Sequence, residues 1–286
     1  MTEDEIHKIA AVESSHWWYV GTREICFSLL APCIAGRGPL RILDIGCGTG
    51  GNLVELGAFG EARGIDVNPL CVDYCTRRGL HVSLGSMQQL HAAAASLDLV
   101  TLFDVLTQAE RAEAPGTLVR IAEALAPGGL LAFREPAMPV AGGAHDRAVN
   151  VHHRFTRPEV AGLLAEAGLT PLRLTYLNTL LFPPIVLMRR VQNALFPSRA
   201  ESDVEPAGWP LNDALLGVLR LETRLLRATD LPFGVSLFAI AKKGSDGGQR
   251  APATASRIAP TAGAALDVVR NASRLRPAIS RRTRDV

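Results

Sequence analysis

Apolar positions along the chain change their spacing several times, and the changes divide it. From residue 3 to residue 35 they recur at helical intervals, which predicts two helices separated near Gly21, with His16-Trp17-Trp18-Tyr19 at the join. After Gly36-Arg37-Gly38-Pro39 the pattern turns into short apolar runs alternating with amphipathic stretches. The runs at 40–45, 62–65, 81–84, 97–103 and 129–134 predict strands, and the stretches at 52–58, 69–78, 88–95 and 112–125 predict helices. Short strands alternating with helices of about ten residues indicate βαβ units and a parallel sheet. A helix over 157–168 and a strand over 170–176 extend the series. Thr156 followed by Glu159 has the spacing of a capping box at the start of that helix.

Regularity then breaks. Residues 177–231 hold Phe182-Pro183-Pro184, a basic apolar stretch over 180–196, a polar loop near Ser202-Asp203 and an amphipathic helix over 211–227. A last strand, 233–241, precedes Lys242-Lys243-Gly244, after which Ala, Pro, Ser and Arg dominate. Such a segment cannot bury enough apolar surface to order itself. The division expected is therefore an N-terminal helical cap (1–38), a catalytic domain (39–243) with a helical insertion or lid at 177–231, and a disordered basic tail (244–286).

Composition sharpens this picture in two places. The 286 residues are 48% apolar, enough for a large core. The formal charge is +2, but residues 245–286 contribute +5, leaving −3 for the rest, so the folded part lacks the basic signature of a nucleic-acid binder. The five cysteines form no C-x-x-C pair, and the opening residues are acidic and polar rather than basic and then apolar. Reduced thiols and a cytoplasmic location are expected.

The most informative stretch is Leu40-Arg41-Ile42-Leu43-Asp44-Ile45-Gly46-Cys47-Gly48-Thr49-Gly50-Gly51, a buried strand entering a glycine loop and then a helix. Gly46, Gly48 and Gly51 also fit a dinucleotide-binding fingerprint. Asp44 separates the two readings. A carboxylate at the strand's end repels a pyrophosphate but suits the ammonium of a methionine moiety, which favours a cationic sulfonium donor. Asp66, ending Gly64-Ile65-Asp66, can accept hydrogen bonds from ribose hydroxyls, a feature common to both cofactors.

With Leu125-Ala126-Pro127-Gly128-Gly129 as the turn before a fifth strand, these segments resemble the class I S-adenosylmethionine-dependent methyltransferases over about residues 13–176, with 233–243 similar to that fold's last, antiparallel strand. The front cluster resembles the opening His-Trp-Trp-Tyr helix of bacterial small-molecule methyltransferases. The resemblance implies an α/β, Rossmann-like seven-stranded sheet ordered 3-2-1-4-5-7-6. It also implies S-adenosyl-L-methionine as cofactor: methionine at Asp44, Gly46, Gly48 and Gly50, ribose at Asp66, adenine near Val67, Ser86, Met87, Phe103 and Asp104, and a covering helix bringing Tyr19 and Arg23 to the donor. Trp17 and Trp18 serve the same cover or simply pack in the core. Two departures stand out: Ser86 occupies a position where relatives carry an acid, and Asp104-Val105-Leu106-Thr107-Gln108 replaces Asp-Val-Leu-Glu-His.

Methyl transfer from a sulfonium is an in-line displacement, so alignment and exclusion of water are the main requirements. A general base for a hydroxyl acceptor is sought after the fifth strand, among Glu135, His145, Asp146, His152 and His153, with His153 ahead of His152; the alternative is that these are loop or capping groups. The expected acceptor is a small molecule, namely a hydroxyl of a natural-product, lipid or sugar intermediate. The segment 180–196 is a substrate lid, a peripheral lipid contact, or a helix packed against 211–226. Nucleic-acid methylation is disfavoured, because no polar-Pro-Pro-aromatic loop follows 97–103 and Pro32-Cys33 precedes the glycine loop. No compact metal-ligand cluster is evident. Two other classes remain: a noncatalytic module that binds the donor, and an NAD(P)-dependent oxidoreductase.

Overall fold

The computed structural model describes residues 2–142, 146, 150–195 and 208–244. Seven strands form one sheet: β1 (Leu40–Ile45), β2 (Gly60–Asp66), β3 (Val82–Leu84), β4 (Leu97–Phe103), β5 (Leu125–Pro136), β6 (Leu169–Leu177) and β7 (Ser236–Lys243). Their order is β3-β2-β1-β4-β5-β7-β6, with β7 antiparallel to both neighbours and the remaining pairs parallel. This is the Rossmann-like methyltransferase order implied by the glycine-loop resemblance. Parallel neighbours need covered faces, which explains why β1 and β4 read as mostly apolar runs, interrupted only by Arg41 and Asp44 in the first and by Asp98 and Thr101 in the second.

Helices cover both faces. On one, Leu43, Ile45, Val100, Leu102 and Phe133 pack against α5 (Ala114–Ala124) and α6 (Arg157–Glu166). On the other, Ile42, Leu99, Ala132 and Phe238 meet α2 (Trp17–Ile34), α3 (Gly51–Leu56) and α8 (Trp209–Ala228). The remaining helices are α1 (Glu3–Val12), α4 (Pro69–Arg77) and α7 (Phe182–Leu195). No helix among the described residues is long and apolar enough to cross a membrane.

Three expectations change. The break between the first two helices falls at Glu13–His16, where the His16 side chain accepts from Trp18 N, and Gly21 lies inside α2. It is glycine because a Cβ there would stand 2.4 Å from the Leu219 side chain, so α2 and α8 touch backbone to side chain. The helix expected over 88–95 is a single 3-10 turn, Met87–Gln89, followed by an irregular, mostly exposed segment in which Ala95 adopts φ 55°. Alanine propensity without an apolar face to bury does not hold a helix. Thr156 makes no side-chain cap, and Glu159 instead takes His153 and Arg111. The predicted tail, 245–286, lies outside the described residues.

Candidate functional site

The carboxyl ends of β1, β2, β4 and β5 open into a cleft of about 380 Å³, roofed by α1 and α2 and floored by the glycine loop. The loop follows from sequence. Gly46, Gly48 and Gly50 have φ of 68°, 54° and 91°, a region costly to other residues, and a Cβ at Gly46 would stand 2.3 Å from Val105. Gly46 and Cys47 donate their N–H groups to Ile65 O, and Gly48 N–H donates to Asp66 Oδ2 at 2.9 Å. Asp66 Oδ1 accepts from Asn68 N, also at 2.9 Å. The loop is thus tied to the end of β2 before any ligand arrives.

Asp44 lies beneath it. Parallel register sets Asp44 beside Thr101 of β4, and the Thr101 hydroxyl donates to Asp44 Oδ1 at 2.6 Å. The other oxygen, Oδ2, is buried without a partner, and burial pushes the carboxyl up to about 7 despite the Thr101 hydrogen bond. Three more buried polar atoms around the loop also lack partners: Thr22 Oγ1, Arg23 Nε and Thr49 Oγ1. Buried polar atoms are normally satisfied, so four together mark a place prepared for a polar ligand. Arg23 holds Glu13 O through its Nη2 at 2.8 Å, while Arg78 joins Glu13 to Thr49 O, which anchors the α1–α2 junction to the loop.

The far wall is built by β4 and β5. Asp104 follows β4 with φ 59° and forms an ion pair with Arg134, whose guanidinium lies 5.3 Å from the Phe103 ring centre. Burial opposes the charge on Arg134, and the Asp104 carboxylate outweighs it, so its pKa rises. Tyr19 projects into the same space, its phenol pushed upward by burial and by Glu5, Asp104 and Glu13. Behind the wall, fully buried Glu135 accepts from the N–H groups of Val105, Leu106 and Thr107 at 3.0, 2.8 and 3.0 Å. Burial raises its pKa, with those three bonds opposing the shift.

Of the residues singled out from sequence, Tyr19, Arg23, Gly46, Gly48, Asp66, Val67, Met87, Phe103 and Asp104 line the cleft. Asp44 lies under its floor, Gly50 turns the chain into α3, and Ser86 caps the 3-10 turn through Gln89 N. The histidines stand elsewhere. His152 is exposed, and His153 Nε2 lies 2.8 Å from Glu159 with its ring edge-on to Phe155; neither lines the cleft. Glu135 is a loop anchor rather than an accessible base, Asp146 is paired with Arg154, and His145 lies outside the described residues. Thr101, Arg134, Glu13 and Arg78 were not anticipated. Only the position of Arg134 at a strand end could have signalled one of them. No group of three or more metal-ligating side chains occurs among the described residues. A second hollow, of about 570 Å³, lies at the opposite end of the sheet, where Arg37 is the one charged side chain among glycines and apolar residues.

Residues 42–129 match a family model described as a methyltransferase domain. A search of curated proteins finds no match. Among solved structures, a proposed sarcosine dimethylglycine methyltransferase of Galdieria sulphuraria superposes with a TM-score of 0.53 at 18% identity, covering 79% of this chain and 86% of that one. A proposed Haloferax volcanii methyltransferase, solved in complex with the Trm112 methyltransferase activator, gives 0.53 at 17% identity over 87% of this chain and 100% of that one. An S-adenosylmethionine-dependent methyltransferase of Methanosarcina mazei gives 0.50 at 15% identity, covering 73% and 94%.

Proposed function

We infer that this chain, which belongs to the class I S-adenosylmethionine-dependent methyltransferases, transfers a methyl group to a hydroxyl of a small molecule, such as a natural-product, lipid or sugar intermediate. One observation carries the reading: the unpartnered Asp44 Oδ2 under the cleft floor, with Arg23 Nε, Thr22 Oγ1 and Thr49 Oγ1 likewise unpartnered on residues that line the cleft, fits a ligand end bearing both an ammonium and a carboxylate. The cleft's volume, about 380 Å³, sits at the low end of small-molecule sites, leaving room beside the donor for little more than the reacting part of an acceptor. Residues 1–38 act as a cap over this space, and 177–231 as a lid on the acceptor side.

When bound, the donor supplies a methyl group made electrophilic by its sulfonium. Asp44 holds the ammonium, Arg23 the carboxylate and Asp66 the ribose. Val67, 69% exposed at the cleft edge, offers the adenine an apolar face, with Met87 and Ser86 beside it. Trp18 and Tyr19 exclude water from above. Asp104, fixed by Arg134 in a strained left-handed backbone, accepts the hydrogen bond of the acceptor's O–H, aims the oxygen lone pair inward and takes the proton that the oxygen releases on gaining the methyl group. In this reading His153 and His152 act through their main chain rather than their rings. The Thr107 hydroxyl donates to the His153 carbonyl, and His152 N–H donates to Thr107 O at 3.0 Å, so both hold the loop that carries Gln108 to the cleft. The deciding experiment is calorimetry with S-adenosylmethionine, followed by detection of S-adenosylhomocysteine released with a panel of hydroxylated small molecules. Donor binding without turnover on any of them makes the chain a binding module, and tight NADPH binding in its place makes it an oxidoreductase.

A further inference from the structure

α7 turns Phe182, Ile185 and Arg189 inward and still leaves a second, apolar face outward. Its one fully buried residue is Arg189, whose guanidinium donates to Ala141 O at 2.5 Å and lies 3.9 Å from Asp146. Its leucines face out: Leu187 is 65% exposed and Leu195 66%, with Val191 at 48% and Met188 at 43%. Together with exposed Pro183 and Pro184, these positions fall on one side of the helix, spaced at i, i+4 and i+8. A helix lying between protein and water turns a polar face outward instead. Contiguous exposed apolar surface of this kind marks an interface.

Charge identifies the occupant. No Asp or Glu occurs from residue 167 to residue 200, before Glu201, Asp203 and Glu205; within that stretch Arg173 is paired with Asp230 and Arg189 is buried, which leaves Arg190 as the exposed charge on the helix. This stands out because residues 1–244 as a whole are net acidic. Arg190 is exposed on α7 itself, and residues 245–286 add eight arginines against three aspartates. An apolar helix face with basic residues at its flank matches an anionic bilayer, with the leucines at the acyl boundary and the guanidinium groups among the headgroups. A second copy of the chain would instead bring two acid-free basic segments together. The face also lies at the end of the sheet that bears the cleft, since α7 is fastened to the Pro139–Ala141 turn after β5. At the same end Trp209, 80% exposed, begins the helix whose Asn212 binds Trp17 N.

We propose that the outward face of α7 rests on an anionic lipid bilayer, and that the enzyme collects its acceptor from that surface. The second clause rests on the methyl-transfer reading; the first does not. The test is co-sedimentation of the full chain with phosphatidylcholine–phosphatidylglycerol vesicles and with phosphatidylcholine alone. The chain is expected to bind the anionic vesicles more tightly. The double variant Leu187→Glu, Val191→Glu is expected to lose about tenfold or more of that binding while its calorimetric donor affinity, which reports folding, stays unchanged. Unchanged vesicle binding in the variant assigns the contact to the arginine-rich tail and overturns the proposal. So does a wild-type chain that binds neither vesicle, as expected if another segment covers the face, or one that light scattering finds as a dimer split by the variant. A wild type that binds donor but not lipid removes the membrane contact alone; failure to bind donor removes the methyl-transfer reading instead.

Discussion

The two ends of the cleft treat their acidic groups differently. Around the glycine loop, Asp66 is held by the N–H groups of Gly48 and Asn68, but Asp44 keeps one buried oxygen without a partner. At the β4–β5 end the carboxylates are taken up by the protein itself: Asp104 by Arg134, Glu135 by three N–H groups, Asp146 by Arg154, and Glu159 by His153 and Arg111. An unsatisfied buried group costs stability until a ligand pairs it, whereas a satisfied one fixes local structure. On the proposed reading, the donor end would be completed by its ligand and the acceptor end held rigid by the protein itself.

The strongest attempt to break this contrast is Glu135→Ala. It strips acceptors from three N–H groups and is expected to cost about 4 kcal/mol in chemical denaturation. A loss near ~1 kcal/mol would mean that the loop after β4 is held by something else. Next, Asp104→Asn weakens the pair with Arg134 and the hold on the acceptor, and turnover is expected to fall about 10²-fold with donor affinity little changed. A change confined to donor affinity would move Asp104 to the other end of the comparison.

At the donor end, Asp44→Ala is expected to weaken donor binding by about tenfold or more, or about 1.4 kcal/mol. Its pH dependence sharpens the assignment. The buried carboxyl titrates at about 7 rather than 3.8, so without ligand its contribution to stability is full below pH 3.8 and is lost as pH rises through about 7. The donor's ammonium needs the ionised form, so calorimetric affinity should rise as pH climbs through 7, and Asp44→Asn should flatten that dependence. A pH-independent wild type would remove Asp44 from ammonium recognition. The smallest effect is expected for His153→Ala: a few-fold loss of turnover with an unaltered pH profile. Near-complete loss of turnover with donor affinity unchanged would restore it as the base.

Much of this contrast was legible before the fold was known, and unevenly so. β1 and β4 fall where the apolar runs place them, because both faces of these strands are covered and their residues have little freedom to be polar. Asp44 and Asp66 were visible because they flank a glycine loop whose geometry only a few residue types allow. The α1–α2 break near Gly21 was misplaced because that glycine answers to Leu219, nearly two hundred residues away. For the same reason Thr101, Arg134, Glu13 and Arg78 escaped notice: their roles come from strand register and helix docking. Local pattern carries neither.

One pairing bears on how the protein is made. α2, which roofs the donor cleft, is held by α8 through the Gly21–Leu219 contact, the Trp17–Asn212 hydrogen bond, the Arg220–Glu24 ion pair and Arg227 to Ser28 Oγ. During synthesis the roof therefore waits for its support until the residues through Arg227 have left the ribosome, although the glycine loop and its strands emerge far earlier. A nascent chain cut short before residue 209 is left with an exposed apolar helix at its front, and with its donor cleft unsealed.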